Sequence, residues 1–196
     1  HAIVKSGDYT WKSSLENGVW TYHMEDVQEG LRTAIRNLGE LPGKISAMGV
    51  SGMMHGYLAF DKDWNLLAPF RTWQNTMTGE AADKLTGAFG FNIPQRWSAA
   101  HLYQAVLNGE PHVKNIAHVT TLAGYVHYLL TGENALGVGE ASGMFPIDSE
   151  TLTYDAAMLD KFDALMAKYG FDWNIRAVLP EVRTAGQSAG LLTPSG

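Results

Sequence analysis

At 196 residues, with 45% hydrophobic and 17% charged content, the chain suits one globular domain with room for a small appendage. Its net charge of −6 argues against nucleic acid as a partner, because no basic excess exists to displace counterions from phosphates; backbone donors in an acidic protein can still hold a nucleotide. No apolar run nears the ~20 residues that cross a bilayer, and the lack of cysteine removes disulfide and thiolate chemistry, so a cytoplasmic protein without membrane partners is expected.

Residues 2–11 read as a strand, and Asn17-Gly18 as a turn ahead of a second strand-like run at 19–22. Residues 25–38 carry a helical period, with Met24, Val27, Leu31, Ile35 and Leu38 on one face, and Leu41-Pro42-Gly43 stops them. A strand at 45–50 follows, a β-α-β order that fits a sheet covered by helices. Runs at 57–60 and 70–73 read as further strands around a turn at 61–65. From Thr78 the pattern becomes mostly helical, at 78–89, 98–108, 122–130 and 155–169, with Ser98 and Asp155 as expected N-caps and Gly132 and Gly170 as stops. The domain is expected to span residues 1–182, and the Gly- and Pro-bearing tail 183–196 to begin a linker.

The chemistry concentrates at His55. The β-prone run 45–50 ends at Ser51-Gly52, His55 follows between Met54 and Gly56, and a second strand returns at Tyr57. That order presents a histidine at the carboxyl end of a strand, where α/β proteins bind ligands, and Gly56 lets backbone or ligand approach closely; a tight hairpin with a solvated His is the alternative. Trp73 ends another strand and precedes two amides, Gln74 and Asn75. A flat aromatic face suits the apolar face of a sugar and amides suit its hydroxyls, although a core Trp explains the same residue. Arg96 and Trp97 stand just before a helix, within reach of such a pocket. The histidines lack the spacing that puts two metal ligands on one helix face, and no Gly-x-Ser-x-Gly elbow exists, so neither a metal site nor a hydrolase is expected.

The run Ser51-Gly52-Met53-Met54-His55-Gly56 resembles the Ser-Gly-Gln-Met-His-Gly of the xylulokinases within the FGGY carbohydrate kinases, with Met53 in place of Gln. Asp61-Lys62-Asp63-Trp64-Asn65-Leu66-Leu67 resembles the family's Asp-x-x-Gly-x-x-Leu hairpin, and the run from Pro69 to Asn75 its strand ending in Trp. Leu130-Thr131-Gly132-Glu133 and Ala141-Ser142-Gly143-Met144 are similar to two later family segments. His101-Leu102-Tyr103-Gln104 stands where the family has Lys-Leu-x-Trp, keeping neither Lys nor Trp, and Gly137 replaces an Asp. The resemblance implies an actin-like (ribonuclease-H-like) α/β fold, a mixed sheet flanked by helices, of which this is the first of two domains without its opening strands. It implies ATP-dependent phosphorylation of a small sugar, a ketopentose such as D-xylulose, with Met54, His55, Trp73, Gln74, Asn75 and Arg96 as substrate contacts. ATP and Mg²⁺ would belong to the whole enzyme. The Asp-x-Gly-Thr phosphate loop is expected before His1 and the catalytic Asp beyond Gly196, so this stretch alone is expected to be inactive. Its partners would be the sugar and the carboxyl-terminal domain, with a homodimer left open. A non-catalytic sugar-binding module and an actin-like structural domain are the rival readings.

Overall fold

The computed structural model describes residues 2–196. Near its start, β1 (Ser14–Glu16) pairs antiparallel with β2 (Val19–Thr21) around Asn17 and Gly18, whose φ angles are 49° and 81°. Positive φ at both central residues matches the twist of a two-residue hairpin, and Asn-Gly adopts it with little strain. Then comes α1 (Met24–Leu38), which buries Met24 and Val27 on the expected face while Ile35 near its end stays exposed.

The central sheet has the order β4-β3-β5, with β3 (Gly56–Phe60) antiparallel to both β4 (Arg71–Thr72) and β5 (His118–Thr120). All five residues of β3 are buried, so both of its faces are covered. Tyr57 and Ala59 join a cluster built with α2 (Gly79–Phe89), α3 (Ser98–Leu107) and α6 (Ala156–Met166). Leu58 and Phe60 point the other way, into Met24, Val27, Phe70 and two residues of α4 (Leu122–Thr131), Leu122 and Tyr125. After β3 the expected turn forms: Asp61 Oδ1 accepts from the backbone N–H groups of Asp63 and Asn65, each at 2.9 Å. The turn is weighted down by Trp64, which stacks on His118 and Tyr128 at ring-centroid distances of 4.4 and 3.6 Å.

The four long helices after α1 stand where the period predicts them. Asp155 caps α6 by accepting from Met158 N–H at 2.9 Å, and Gly132 and Gly170 close helical turns with φ of 75° and 67°. Ser98 is not a cap: Trp97 holds that position, and the Ser98 hydroxyl donates instead to the Gly56 carbonyl at 2.5 Å, tying α3 to β3. A parallel pair, β6 (Ala135–Gly137) and β7 (Glu181–Arg183), adds a small third sheet; α5 (Val138–Ala141), α6 and α7 (Ile175–Val178) lie between them in sequence. Strands of three residues carry too little alternation to be read in advance. Beyond β7, Thr193 N–H still bonds the Leu130 carbonyl at 2.9 Å. Among the described residues no helix is long and apolar enough to cross a membrane.

Two expected strands do not form. Residues 2–11 and 45–50 belong to no ladder, and Ile45 and Met48 are 67% and 52% exposed. A β-prone run becomes a strand only where a neighbouring backbone takes up its N–H and C=O groups, and no described strand lies alongside either run.

A polar layer lies beneath β3. Arg71 forms an ion pair with Glu110 and sits over the Tyr57 ring at 5.4 Å, while the Tyr57 hydroxyl bonds His112 Nε2 at 2.8 Å. His101 is fully buried, stacks on Tyr57, and has no hydrogen-bond partner at either ring nitrogen. Burial, assisted by the Arg71 charge, pushes its pKa down to about 3 from 6.5. Because the unfolded chain then binds a proton that the folded chain refuses, this contribution to stability is whole above pH 6.5 and is lost as pH falls toward 3. The expected slope is roughly 1.4 kcal/mol per pH unit within that window. Urea titrations from pH 7 to 4 should show a shallower acid decline for His101→Gln than for the parent; identical slopes would refute a neutral buried imidazole.

Candidate functional site

The β3–β4 ladder pairs Gly56 with Thr72 and Tyr57 with Arg71. The pairing ends there, and His55 and Trp73 are the next residues along the two chains, just beyond the paired ones. Gly56 makes the approach feasible. Its φ is 134°, and a Cβ there would come within 2.8 Å of the Phe70 ring and 3.0 Å of the Arg71 carbonyl oxygen, so only glycine lets the strands close at this end.

Two more segments converge on His55. Its Nδ1 donates to the Gly143 carbonyl at 3.3 Å, just past the end of α5. That segment is held in turn by Ala99 N–H, which bonds the Met144 carbonyl at 3.0 Å, while Ser98 holds Gly56. The start of α3 thus fastens both sides of the histidine. The loop before α3 carries Arg96, exposed and close enough for its charge to act on His55. Burial lowers the His55 pKa below 6.5, the Gly143 bond opposes this, and Arg96 lowers it further, so the ring is neutral at physiological pH.

Around this ring, Met54 is half-buried with its carbonyl packed on Gly143. Trp73 is 52% exposed, leaving aromatic surface open to a ligand. Gln74 is half-buried, and its side-chain amide makes no hydrogen bond among the described residues. Asn75 differs from expectation. It is 3% exposed, its Oδ1 accepts from Trp20 N–H at 2.9 Å, and its Nδ2 donates to the Trp20 and Thr72 carbonyls at 2.8 and 3.0 Å. Those bonds clip the β1–β2 hairpin to β4 and leave nothing for a ligand. Met53 turns away, into a groove of about 640 Å³ walled by Trp11, Tyr22, Val27 and Leu122, which His55 and Trp73 do not line. Gly143 and Ser98 were not foreseen as site residues. The Ala-Ser-Gly segment is visible as a motif, but nothing in its own composition aims it at a residue 88 positions earlier.

Among the described residues no three His, Cys, Asp or Glu side chains converge as a metal site, and no Asp-x-Gly-Thr or Gly-x-x-x-x-Gly-Lys-Ser/Thr loop stands in the sequence.

The sequence pattern of the FGGY family of carbohydrate kinases, N-terminal domain, matches residues 6–196. The chain belongs to that family. It is 24% identical over 205 residues to a glycerol kinase of Thermococcus gammatolerans, covering 96% of this chain and 40% of the relative. To a xylulose kinase of Haemophilus influenzae it is 25% identical over 186 residues, covering 87% and 36%. The crystal structure of xylulose kinase from Rhodospirillum rubrum superposes with a TM-score of 0.75 at 21% identity, covering 93% of this chain and 38% of that one. The superposition shows the fold, the actin-like mixed α/β domain at the amino-terminal end of FGGY kinases. The chain spans about two fifths of the length of the relatives it matches.

Asn75→Ala should destabilise this FGGY domain by about 1–3 kcal/mol, the cost of leaving the partly buried Trp20 backbone groups unpaired. Urea unfolding checks it, and a loss below about 0.5 kcal/mol would show that the clip is dispensable.

Proposed function

We propose that this chain is the sugar-binding part of an ATP-dependent carbohydrate kinase whose acceptor is a small sugar, a ketopentose such as D-xylulose. One combination supports the reading: His55 and Trp73 are the residues just past the paired ends of β3 and β4, a partly buried imidazole and a half-exposed Trp, and Gln74 follows with an amide that makes no hydrogen bond among the described residues. That trio suits a polyhydroxyl ligand. The flat Trp73 face packs against the ligand's C–H surface, while His55 and the Gln74 amide meet its hydroxyls. Met54 lines the wall, and Arg96 lies at the rim. Asn75 is left out of the contact set because its amide holds Trp20.

The Met54-His55-Gly56 run and the relatives named xylulose kinase support a ketopentose. The relatives named glycerol kinase support a second reading, a shorter polyol on the same Trp73 and Gln74. In either case phosphoryl transfer rests on positioning and charge stabilisation rather than on covalent chemistry. This chain's share is to hold the acceptor hydroxyl still; the nucleotide, Mg²⁺ and the Asp that accepts the hydroxyl proton fall to the part of the relatives' length that it does not span. Closure over the sugar would exclude water as a competing acceptor.

In the full-length enzyme, His55→Ala should raise the KM for the sugar about 2- to 10-fold, the size of one lost hydrogen bond, and leave the KM for ATP unchanged. Initial-rate kinetics with D-xylulose and glycerol as alternative acceptors provide the measurement. A parallel rise in both KM values would point to a folding role for His55 and sink the reading.

A further inference from the structure

Gly143 is buried at the end of a tight turn in which Gly143 N–H bonds the Glu140 carbonyl at 3.0 Å and Met144 N–H bonds the Ala141 carbonyl at 2.9 Å. Its φ lies outside the left-handed region, so backbone conformation does not call for glycine there. Space does. A Cβ on residue 143 would run into the Met54 carbonyl oxygen and approach His55 Nδ1 to 2.8 Å and Cε1 to 3.1 Å. The first obstacle is backbone, held by the Gly56–Ser98 bond two residues on, and the turn itself is held from behind by Ala99. Neither wall yields by a rotamer change.

We infer that the Gly143 carbonyl accepts a hydrogen bond from His55 Nδ1–H, so that Nε2 faces the sugar as a hydrogen-bond acceptor, and that residue 143 must be glycine to keep this contact. The inference rests on the sugar-binding reading of His55. A carbonyl oxygen only accepts, so the nitrogen 3.3 Å from it carries the hydrogen. A neutral imidazole has a single N–H, which leaves Nε2 with its lone pair. Nε2 has no partner among the described residues and is not sealed from solvent. The lowered His55 pKa, caused first by burial and also by Arg96, agrees with a ring that holds one proton. Gly143 is thus a positioning residue, acting on the ligand only through His55.

A chemical selection follows. A ligand atom seated at Nε2 must itself donate, which admits a hydroxyl and rejects a keto oxygen or a carboxylate, both acceptors only. A ketopentose would therefore present one of its alcohols to His55 and turn its carbonyl elsewhere.

The decisive measurement is the tautomer of His55 by nitrogen-15 NMR of the imidazole at pH 7.5, assigned by the signal lost in His55→Gln. The expected result is a protonated Nδ1 and an unprotonated Nε2 in the parent protein. A proton on Nε2 would overturn the inference, even if His55→Ala still damaged sugar use. Gly143→Ala should shift His55 to a mixture of tautomers and raise the sugar KM about 2- to 10-fold with the ATP KM unmoved. An unchanged tautomer in a folded Gly143→Ala protein would show that the glycine is not what sets it. A correct tautomer together with a silent His55→Ala would remove the sugar instead, failing the proposed function and the selection drawn from it.

Discussion

β3 is buried on both faces, and the arrangement of everything around it follows from that. Five consecutive residues without solvent contact need apolar cover above and below and hydrogen-bonding neighbours on either side. The cover comes from α1 and α4 against Leu58 and Phe60, and from α2, α3 and α6 against Tyr57 and Ala59. The neighbours are β4 and β5. A strand caught this way cannot slip register without turning Tyr57 and Leu58 into the wrong clusters. The residue at its open end, His55, inherits that rigidity, as does Trp73 past the end of β4. Binding groups mounted on the ends of packed strands keep their geometry better than groups on free loops.

The polar layer under the sheet obeys a second constraint, desolvation. Arg71 and Glu110 are tolerable inside because they neutralise each other, with Asn108 also donating to Glu110. Burial also lowers the pKa of His55, His101, His112 and His118. The proposed contacts His55, Trp73 and Gln74 offer aromatic surface and hydrogen-bonding atoms, with no carboxylate among them and the Arg96 cation close enough to act on His55.

Legibility varied with the range of the interaction. Asn17-Gly18, the face of α1, the Asp155 cap and the stops at Gly132 and Gly170 depend on residues within a turn or two of one another, and all are plain in the chain. The runs 2–11 and 45–50 look equally plain yet form no strands, because a strand depends on a partner that its own residues cannot name. Ser98 shows the same limit in a single side chain. It has the chemistry of a cap, but the Gly56 carbonyl lies closer to hand and takes the hydroxyl. Asn75 sits beside Trp73 in sequence and shares none of its exposure, since the hairpin at Trp20 reaches it first.

His55 stood out before any coordinates because Ser-Gly before it and Gly after it mark a turn, and because its neighbours resemble those of a sugar kinase. Trp73 and Gln74 likewise carried their chemistry in their types. Their assembly was beyond reach of the residue string. His55 and Trp73 stand just past the end of a ladder whose register follows from the burial of β3, and His55 meets Gly143 across 88 residues through a turn pinned by α3. Side-chain types and local periods are properties of neighbours along the chain. Register, exposure and the tautomer of a histidine are properties of neighbours in space, and those are chosen by how the whole core closes.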